Sequence, residues 1–258
     1  MLANLFKSKP PLDEPSTLWL FEAFAWALRN FDASVFYRET ILVVPSNEHF
    51  PGRADSVHGM AALIFDQVRG YAGMGHWPYR LAEPGLCTLA PPPQIRIEGA
   101  LRGRKGIVPA RVGDNDALQV TYDPDLVGNP EALIAGFAHT LALHLGTTAR
   151  EPPPGGPENW PHLTEVLGVF LGFGLMFANT AFNGRPRSCA SCGPSAEREN
   201  YLSQYDVTYA LALFSVLKGL APRDVQRHLK SSLRGYFKQC MRDVGQRESE
   251  LNGLKAIA

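Results

Sequence analysis

Apolar residues recur at helical spacing in the first part of the chain. An apolar face at spacings of three and four predicts a helix from an N-cap at Ser16 to about Asn30, and a second helix over residues 54–71. Between these helices, residues 37–44 end in the run Ile-Leu-Val-Val before a proline, a pattern that predicts a strand. The amino-terminal part is therefore expected to combine helices with a strand.

Residues 78–122 are predicted to be rich in short strands. Apolar and polar residues alternate over 94–98, and further strand-like runs cover 107–112 and 118–122. The sequence Gly-Asp-Asn-Asp at 113–116 separates the last two runs and is typical of a hairpin turn. We therefore expect a small mixed or antiparallel sheet in this region.

The rest of the chain is predicted to be helical. One helix begins at an N-cap, Asn129, followed by Pro130, and ends at Gly146. Three further helical segments are predicted at residues 162–181, 203–219 and 223–242. The order of helix, strand, helix, several strands and a helical half predicts an α+β fold.

The length and composition allow a substantial core. The chain has 258 residues, of which 45% are hydrophobic. We expect one domain over residues 1–258, in which residues 16–125 carry the sheet and residues 130–245 form the helical part.

Charge and hydropathy argue against several classes of partner. The 25 Lys and Arg residues balance the 25 Asp and Glu residues, and we expect neither a basic stripe for nucleic acid nor an acidic tail. Residues 1–15 lack the apolar core of a secretory signal, and the longest apolar stretch, 166–178, is too short to span a membrane. Four cysteines at irregular spacing do not form a disulfide framework. These observations predict a cytoplasmic protein without a nucleic-acid or membrane partner.

The helix over residues 131–146 carries the most informative chemistry. The zincin signature His-Glu-x-x-His places two zinc ligands on one helix face and a general base between them. Here the frame runs from His139 to Leu143, with Thr140 at the position of the base and Leu143 at that of the second ligand. His144 follows one residue later.

The geometry of a regular helix separates these two histidines. His144 is five residues from His139 and therefore about 140° around the helix, so both cannot face one metal ion. A π-bulge would bring them into line, and a threonine hydroxyl is too weak a base to replace a carboxylate. We expect His139 to be a hydrogen-bonded core residue, and His144 to lie near the helix C-terminus, where a cation is favoured.

Several stretches resemble uncharacterised bacterial zincin-like proteins of the small gluzincin type with a degenerate His-Glu-x-x-His motif. This chain shares with those proteins the order of strands, signature helix, Pro/Gly loop and second apolar helix. The similar stretches are residues 43–51, 65–71, 137–145, 163–174 with 178–180, and 201–204 with 209–214. The resemblance covers about residues 40–240 and implies a zincin-like fold.

The resemblance also implies a glutamate ligand and an orienting acid on the second helix. Glu165 matches the acid, and its alternative role is a buried acid satisfied by His139 or a backbone donor. Pro161 stands at the ligand position, and Glu158 in the preceding loop is the alternative ligand. Because Thr140, Leu143 and Pro161 depart from the pattern together, loss of catalysis is the favoured interpretation.

Three other features have structural and functional interpretations. Cys189-x-x-Cys192 lies in a polar loop and is a weak metal-site candidate, the alternatives being ordinary thiols and redox chemistry. Residues 102–105, Arg-Gly-Arg-Lys, are expected to form a solvated turn. The glycines within 168–174 predict close helix packing.

These observations leave two functional hypotheses. The favoured one is a catalytically inactive zincin-like protein without a cofactor that binds a protein partner, for instance a bacterial immunity protein that neutralises a cognate toxin. The alternative is a zinc-dependent metallopeptidase with the atypical ligands His139, His144 and either Glu158 or Glu165.

Overall fold

The computed structural model describes residues 10–82, 97–107, 117–181 and 201–257. These residues form a helix-rich α+β protein with a small parallel sheet of two strands. The helices are α1 (Glu14–Asn30), α2 (Ala33–Arg38), α3 (Val57–Tyr71), α4 (Pro130–Gly146), α5 (Trp160–Gly168), α6 (Gly174–Thr180), α7 (Gln204–Leu217), α8 (Pro222–Gln226), α9 (Ser231–Gln246) and α10 (Glu248–Lys255). The strands are β1 (Tyr79–Leu81) and β2 (Leu118–Val120).

The first helix starts earlier than its apolar pattern predicts. Asp13 is the N-cap, and its side chain accepts the backbone N–H of Ser16 at 3.0 Å. The prediction of Ser16 as the N-cap is therefore wrong, because the aspartate three residues earlier satisfies the amide that a helix end leaves unpaired. The end of the helix at Asn30 is confirmed.

The strand predicted over residues 37–44 is also wrong. Helix α2 extends to Arg38, and Asp32 begins it by accepting the backbone N–H groups of Ser34 and Val35. Lys218 closes it, since its Nζ donates to the carbonyl oxygens of Phe36 and Tyr37, both at 2.7 Å. These polar contacts stabilise a short helix up to Arg38. Residues 39–44 form no strand either, and there the backbone N–H of Val43 donates to the carbonyl oxygen of Gly172 at 2.9 Å.

The sheet differs in direction from the expected one. The strand predicted at 118–122 is confirmed over Leu118–Val120, but it pairs in parallel with β1, with Tyr79 opposite Leu118. Parallel strands need a long crossover, here residues 82–117, so a hairpin cannot join them. Residues 97–98 form no strand, while 94–96 and the predicted strand and turn within 108–116 lie outside the described residues.

The helical part largely follows the predicted order. The apolar segment predicted at 162–181 forms a nearly continuous helix from Trp160 to Thr180 that contains a π-helical turn, Val169–Phe173. Ser203 caps α7 in a reciprocal capping box with Asp206, which confirms that helix start. The single helix predicted at 223–242 is instead divided into α8 and α9.

The long apolar helix lies at the centre of the core. Every residue from Leu163 to Thr180 is buried, and one connected cluster of buried side chains extends from Leu20 to Leu254. In the described part of the chain, Pro157–Thr180 is the one helix long and apolar enough to cross a membrane by length and composition, and its most apolar window is completely buried. Complete burial is typical of a core helix.

Two cations and two aromatic rings join this helix to the amino-terminal part. Phe36 of α2 stacks on Phe170 with ring centroids 4.6 Å apart and an angle of 10° between the planes. Arg102 lies over the Phe170 ring at 5.2 Å, and Lys218 lies over the Phe36 ring at 5.4 Å. Cations placed over ring faces gain more energy when they are withdrawn from water.

Arg102 was expected in a solvated turn, and that expectation is wrong. Its side chain is 1% exposed and donates to the carbonyl oxygen of Ala72 at 3.0 Å and to Thr40 Oγ1 at 2.9 Å. Burial lowers the pKa of the guanidinium to about 10, and the charges of Asp32 and Glu39 oppose that shift. Arg102 therefore stays charged at neutral pH and acts as a core residue.

The chain crosses the π-helical turn at very close range. Gly172 has a φ of 102°, and its carbonyl oxygen accepts the backbone N–H of Val43 at 2.9 Å. A Cβ atom at Gly172 would lie 2.2 Å from the carbonyl oxygen of Ile41. Only glycine allows this approach. A Cβ atom would also lie too close to the Phe177 ring at Gly168 and to the Leu211 side chain at Gly174, so the predicted close packing is confirmed at all three glycines.

The substitution Gly172→Ala is predicted to destabilise the protein by about 3 kcal/mol or more, because it combines a left-handed backbone with a steric overlap. Chemical denaturation monitored by circular dichroism measures this loss. The matched control is Gly235→Ala in α9, where a Cβ atom meets nothing within 4 Å. The control is expected to be neutral or stabilising by up to about 1 kcal/mol, and equal stability of the two variants would contradict the analysis.

Candidate functional site

Helix α4 positions the candidate site, and it is regular along its whole length. The side chain of Asn129 accepts the backbone N–H of Ala132 at 3.4 Å and Pro130 occupies the first turn, which confirms the predicted start. The helix remains α-helical through Gly146, so the only π-helical turn among the described residues lies in the neighbouring helix. His139 and His144 therefore keep their separation of about 140°.

The positions of the missing base and ligand make structural contacts. The Thr140 hydroxyl donates to the carbonyl oxygen of Gly136, one turn earlier in α4, at 3.2 Å. Leu143 is an exposed apolar residue, with 41% of its surface accessible. His139, one turn before Leu143, is half-buried. This helix face presents one imidazole and no neighbouring carboxylate from its own turn.

His144 belongs to a stack of aromatic rings. Its ring lies 5.6 Å from that of Tyr79 with 15° between the planes, and its Nδ1 is 3.2 Å from the Tyr79 hydroxyl oxygen. Tyr79 in turn stacks on Trp77 at 5.9 Å and 7°. The three rings hold the end of α4 against β1.

Burial makes His144 neutral. Desolvation lowers the pKa of its imidazole to about 4, and burial raises the pKa of the Tyr79 hydroxyl well above its usual value of 10. Both groups are uncharged at pH 7, so the Tyr79 hydroxyl can donate its proton to Nδ1. The expectation of a cation near the helix C-terminus is therefore wrong, although the predicted position of His144 is right.

Glu165 is a structural acid. Its side chain is completely buried in α5, and its carboxylate accepts the backbone N–H of Leu202 at 2.8 Å. This bond fixes the segment before α7 against α5 and confirms the expected backbone donor. Glu158 is exposed, and Pro161 lies in the first turn of α5.

These side chains do not fit a zinc ion. A catalytic zinc site needs three converging protein ligands, and within the described ranges no group of three or more His, Cys, Asp or Glu side chains could hold a metal ion. Cys189 and Cys192 lie outside the described residues. Cys240 is buried in α9, and burial raises its pKa to about 12.

The sequence argument missed one charged surface. Arg234, Lys238 and Arg242 recur every four residues along α9 and are all exposed. Lys238 and Arg242 line a groove of about 480 Å³ together with Arg223 of α8. The expectation that no basic stripe binds nucleic acid stays a prediction, and the spacing i, i+4 and i+8 was the signal that could have revealed this charged surface.

Comparison with known proteins adds no relative: no protein-family model, curated protein or solved structure matches this chain.

The pKa of His144 predicts a specific loss of stability in acid. An unfolded histidine titrates near pH 6.5, so the imidazole of His144 takes up a proton at a higher pH in the unfolded chain than in the folded protein. The free energy of unfolding therefore falls as the pH decreases from about 6.5 to about 4. The expected penalty is about 3 kcal/mol at pH 4. Above pH 6.5 the penalty is absent.

The control is His144→Phe, which keeps a ring beside Tyr79 but cannot titrate. Between pH 7 and pH 4 the wild-type protein should lose about 3 kcal/mol more unfolding free energy than this variant, as measured by denaturation at each pH. NMR titration of the imidazole gives an independent value. Parallel stability curves together with a titration near pH 6.5 would refute the assignment.

Proposed function

We propose that this chain is a catalytically inactive, zincin-like protein that acts by binding a protein partner. One such role is that of an immunity protein that neutralises a toxin. One observation supports the proposal: three polar side chains at the positions of the zincin pattern form hydrogen bonds within the protein. Thr140 bonds to Gly136, His144 to Tyr79, and Glu165 to the backbone of Leu202.

A hydrolytic site would require several of these bonds to break. His144 would have to leave the Tyr79 ring and turn about 140° around α4 to meet His139. Glu165 would have to give up a buried backbone N–H, which costs about 1–3 kcal/mol when left unsatisfied. The metallopeptidase alternative has no observation in its favour.

The zincin-like fold is part of the same proposal. Its support is the order of α3, two strands, α4, a loop rich in proline and glycine over residues 151–157, and the apolar helix that begins at Trp160. Rigid helices with exposed charged faces suit a binding protein, because a preorganised surface loses little entropy on association.

The experiment is reconstitution with the product of a neighbouring gene from two purified components. Size-exclusion chromatography with light scattering should give a stable one-to-one complex, heavier than the 28.3 kDa chain by the mass of one partner. His139→Ala should form the same complex, because its side chain has no catalytic task in this proposal. Absence of any complex with the wild-type chain would overturn the proposal. Metal-dependent peptidase activity that disappears in His139→Ala would establish the alternative in its place.

A further inference from the structure

Helix α9 has one buried and one cationic face. Its buried side chains follow helical spacing and pack against α7; they are Leu233, Phe237, Cys240 and Val244. Arg234, Lys238 and Arg242 occupy exposed positions of the same helix. The three cations lie one turn apart, a rise of about 6 Å at each step.

The groove beside this face has a fixed shape. It is formed by cationic, amide and apolar side chains of α8 and α9, namely Ala221, Pro222, Arg223, Gln226, Lys238, Met241 and Arg242. Gln226 Nε2 donates to the carbonyl oxygen of Arg234 at 2.8 Å, and Arg234 Nε donates to that of Leu229 at 2.9 Å. The first bond ties α8 to α9, and the second ties α9 to the segment between the two helices.

The cations of this groove form no ion pair with the carboxylates that the structure describes. Residues 221–242 contain six Lys and Arg residues and one Asp, in a chain whose total charges balance. In the described part of the chain, no carboxylate oxygen lies within 4.0 Å of the charged nitrogens of Arg223, Lys238 or Arg242. The neighbouring Arg247, by contrast, pairs with Glu14 at 2.7 Å.

We infer that this groove binds an acidic, amphipathic segment of the protein partner, an inference that rests on the proposed function. Arg223, Lys238 and Arg242 meet its carboxylates, and Pro222 and Met241 contact its apolar side chains. An acidic helix with glutamates one turn apart matches the spacing along α9, as in other helix-in-groove complexes.

The lining of the groove favours a peptide over a nucleic acid. Single-stranded nucleic acids are usually bound by aromatic side chains that stack on bases, and no aromatic side chain lines this groove. Tight binding to duplex DNA uses about 6–10 phosphate contacts, more than three cations provide. Apolar side chains among the cations instead suit an amphipathic peptide.

The test uses a fluorescent peptide of about four helical turns with glutamates one turn apart and leucines between them. Fluorescence anisotropy should show binding to the full chain and no binding of the counterpart with glutamine at every glutamate position. The triple variant Arg223→Glu, Lys238→Glu and Arg242→Glu should weaken binding at least about tenfold, since each reversal replaces an attraction by a repulsion.

The matched control reverses the charge of three cations that lie outside the groove. Arg53→Glu, Arg104→Glu and Arg150→Glu alter exposed cations outside the groove, and this variant should bind within about twofold of the wild-type protein, since screening weakens distant surface charges. Circular dichroism and thermal unfolding must show that both triple variants are folded. Equal losses in the two variants, or no peptide binding by the wild-type chain, would overturn the inference.

Two further arms separate other ligands and the proposed function itself. The same assay measures a single-stranded oligonucleotide and phosphatidylserine vesicles. If either binds more tightly than the acidic peptide and loses that binding in the groove variant, the groove is a site for that class of ligand and the peptide inference fails. If the groove variant still forms the reconstituted one-to-one complex, the groove inference fails while the proposed function stands. If wild-type chain and control variant form no complex either, the proposed function fails as well.

Discussion

The structure depends on one close contact, the passage of residues 40–44 over the π-helical turn of the central helix. The backbone there lies so near that a single Cβ atom at Gly172 would overlap the carbonyl oxygen of Ile41. This approach brings α2 against the central helix, where Phe36 stacks on Phe170. Arg102 lies over the Phe170 ring and Lys218 over the Phe36 ring. The amino-terminal and carboxy-terminal parts consequently share one core.

The same packing holds polar side chains around the signature helix in internal bonds. Helix α4 packs against both α5 and α3, while its Thr140 hydroxyl bonds to Gly136 of the same helix. His144 closes a ring stack on the sheet, while Glu165 of α5 holds the chain before α7. Buried polar groups need partners, and in this protein the partners come from the fold itself. The surface of α8 and α9 differs, because Lys238 and Arg242 there form no ion pair with any described residue.

Local patterns in the sequence predicted the helices well, whereas features set by distant contacts could not be predicted. The apolar faces of α3, α4 and α7 follow from residue spacing, and their caps from residue type. The run at residues 41–44 resembled a strand, but its backbone bonds to Gly172, far along the chain, and a local pattern does not reveal that partner. The sheet is parallel because β2 pairs with β1. The three residues of β1 are too few to show a strand pattern, so the sequence did not predict this pairing. Arg102 looked like a surface residue because Phe170 and Ala72 surround it only in the folded chain.

For the candidate site, the sequence predicted the loss of the ligand geometry but not the Tyr79 contact that fixes His144.

The most direct test of the central claim is the metal content of natively purified protein. Elemental mass spectrometry should compare the wild-type chain with His139→Ala and with the double variant Cys189→Ser and Cys192→Ser. The account predicts no stoichiometric zinc that depends on His139, and zinc lost only with the cysteines would be a structural site separate from α4. Stoichiometric zinc that the cysteine variant keeps and His139→Ala loses would contradict the account, because it would show that α4 assembles a metal site.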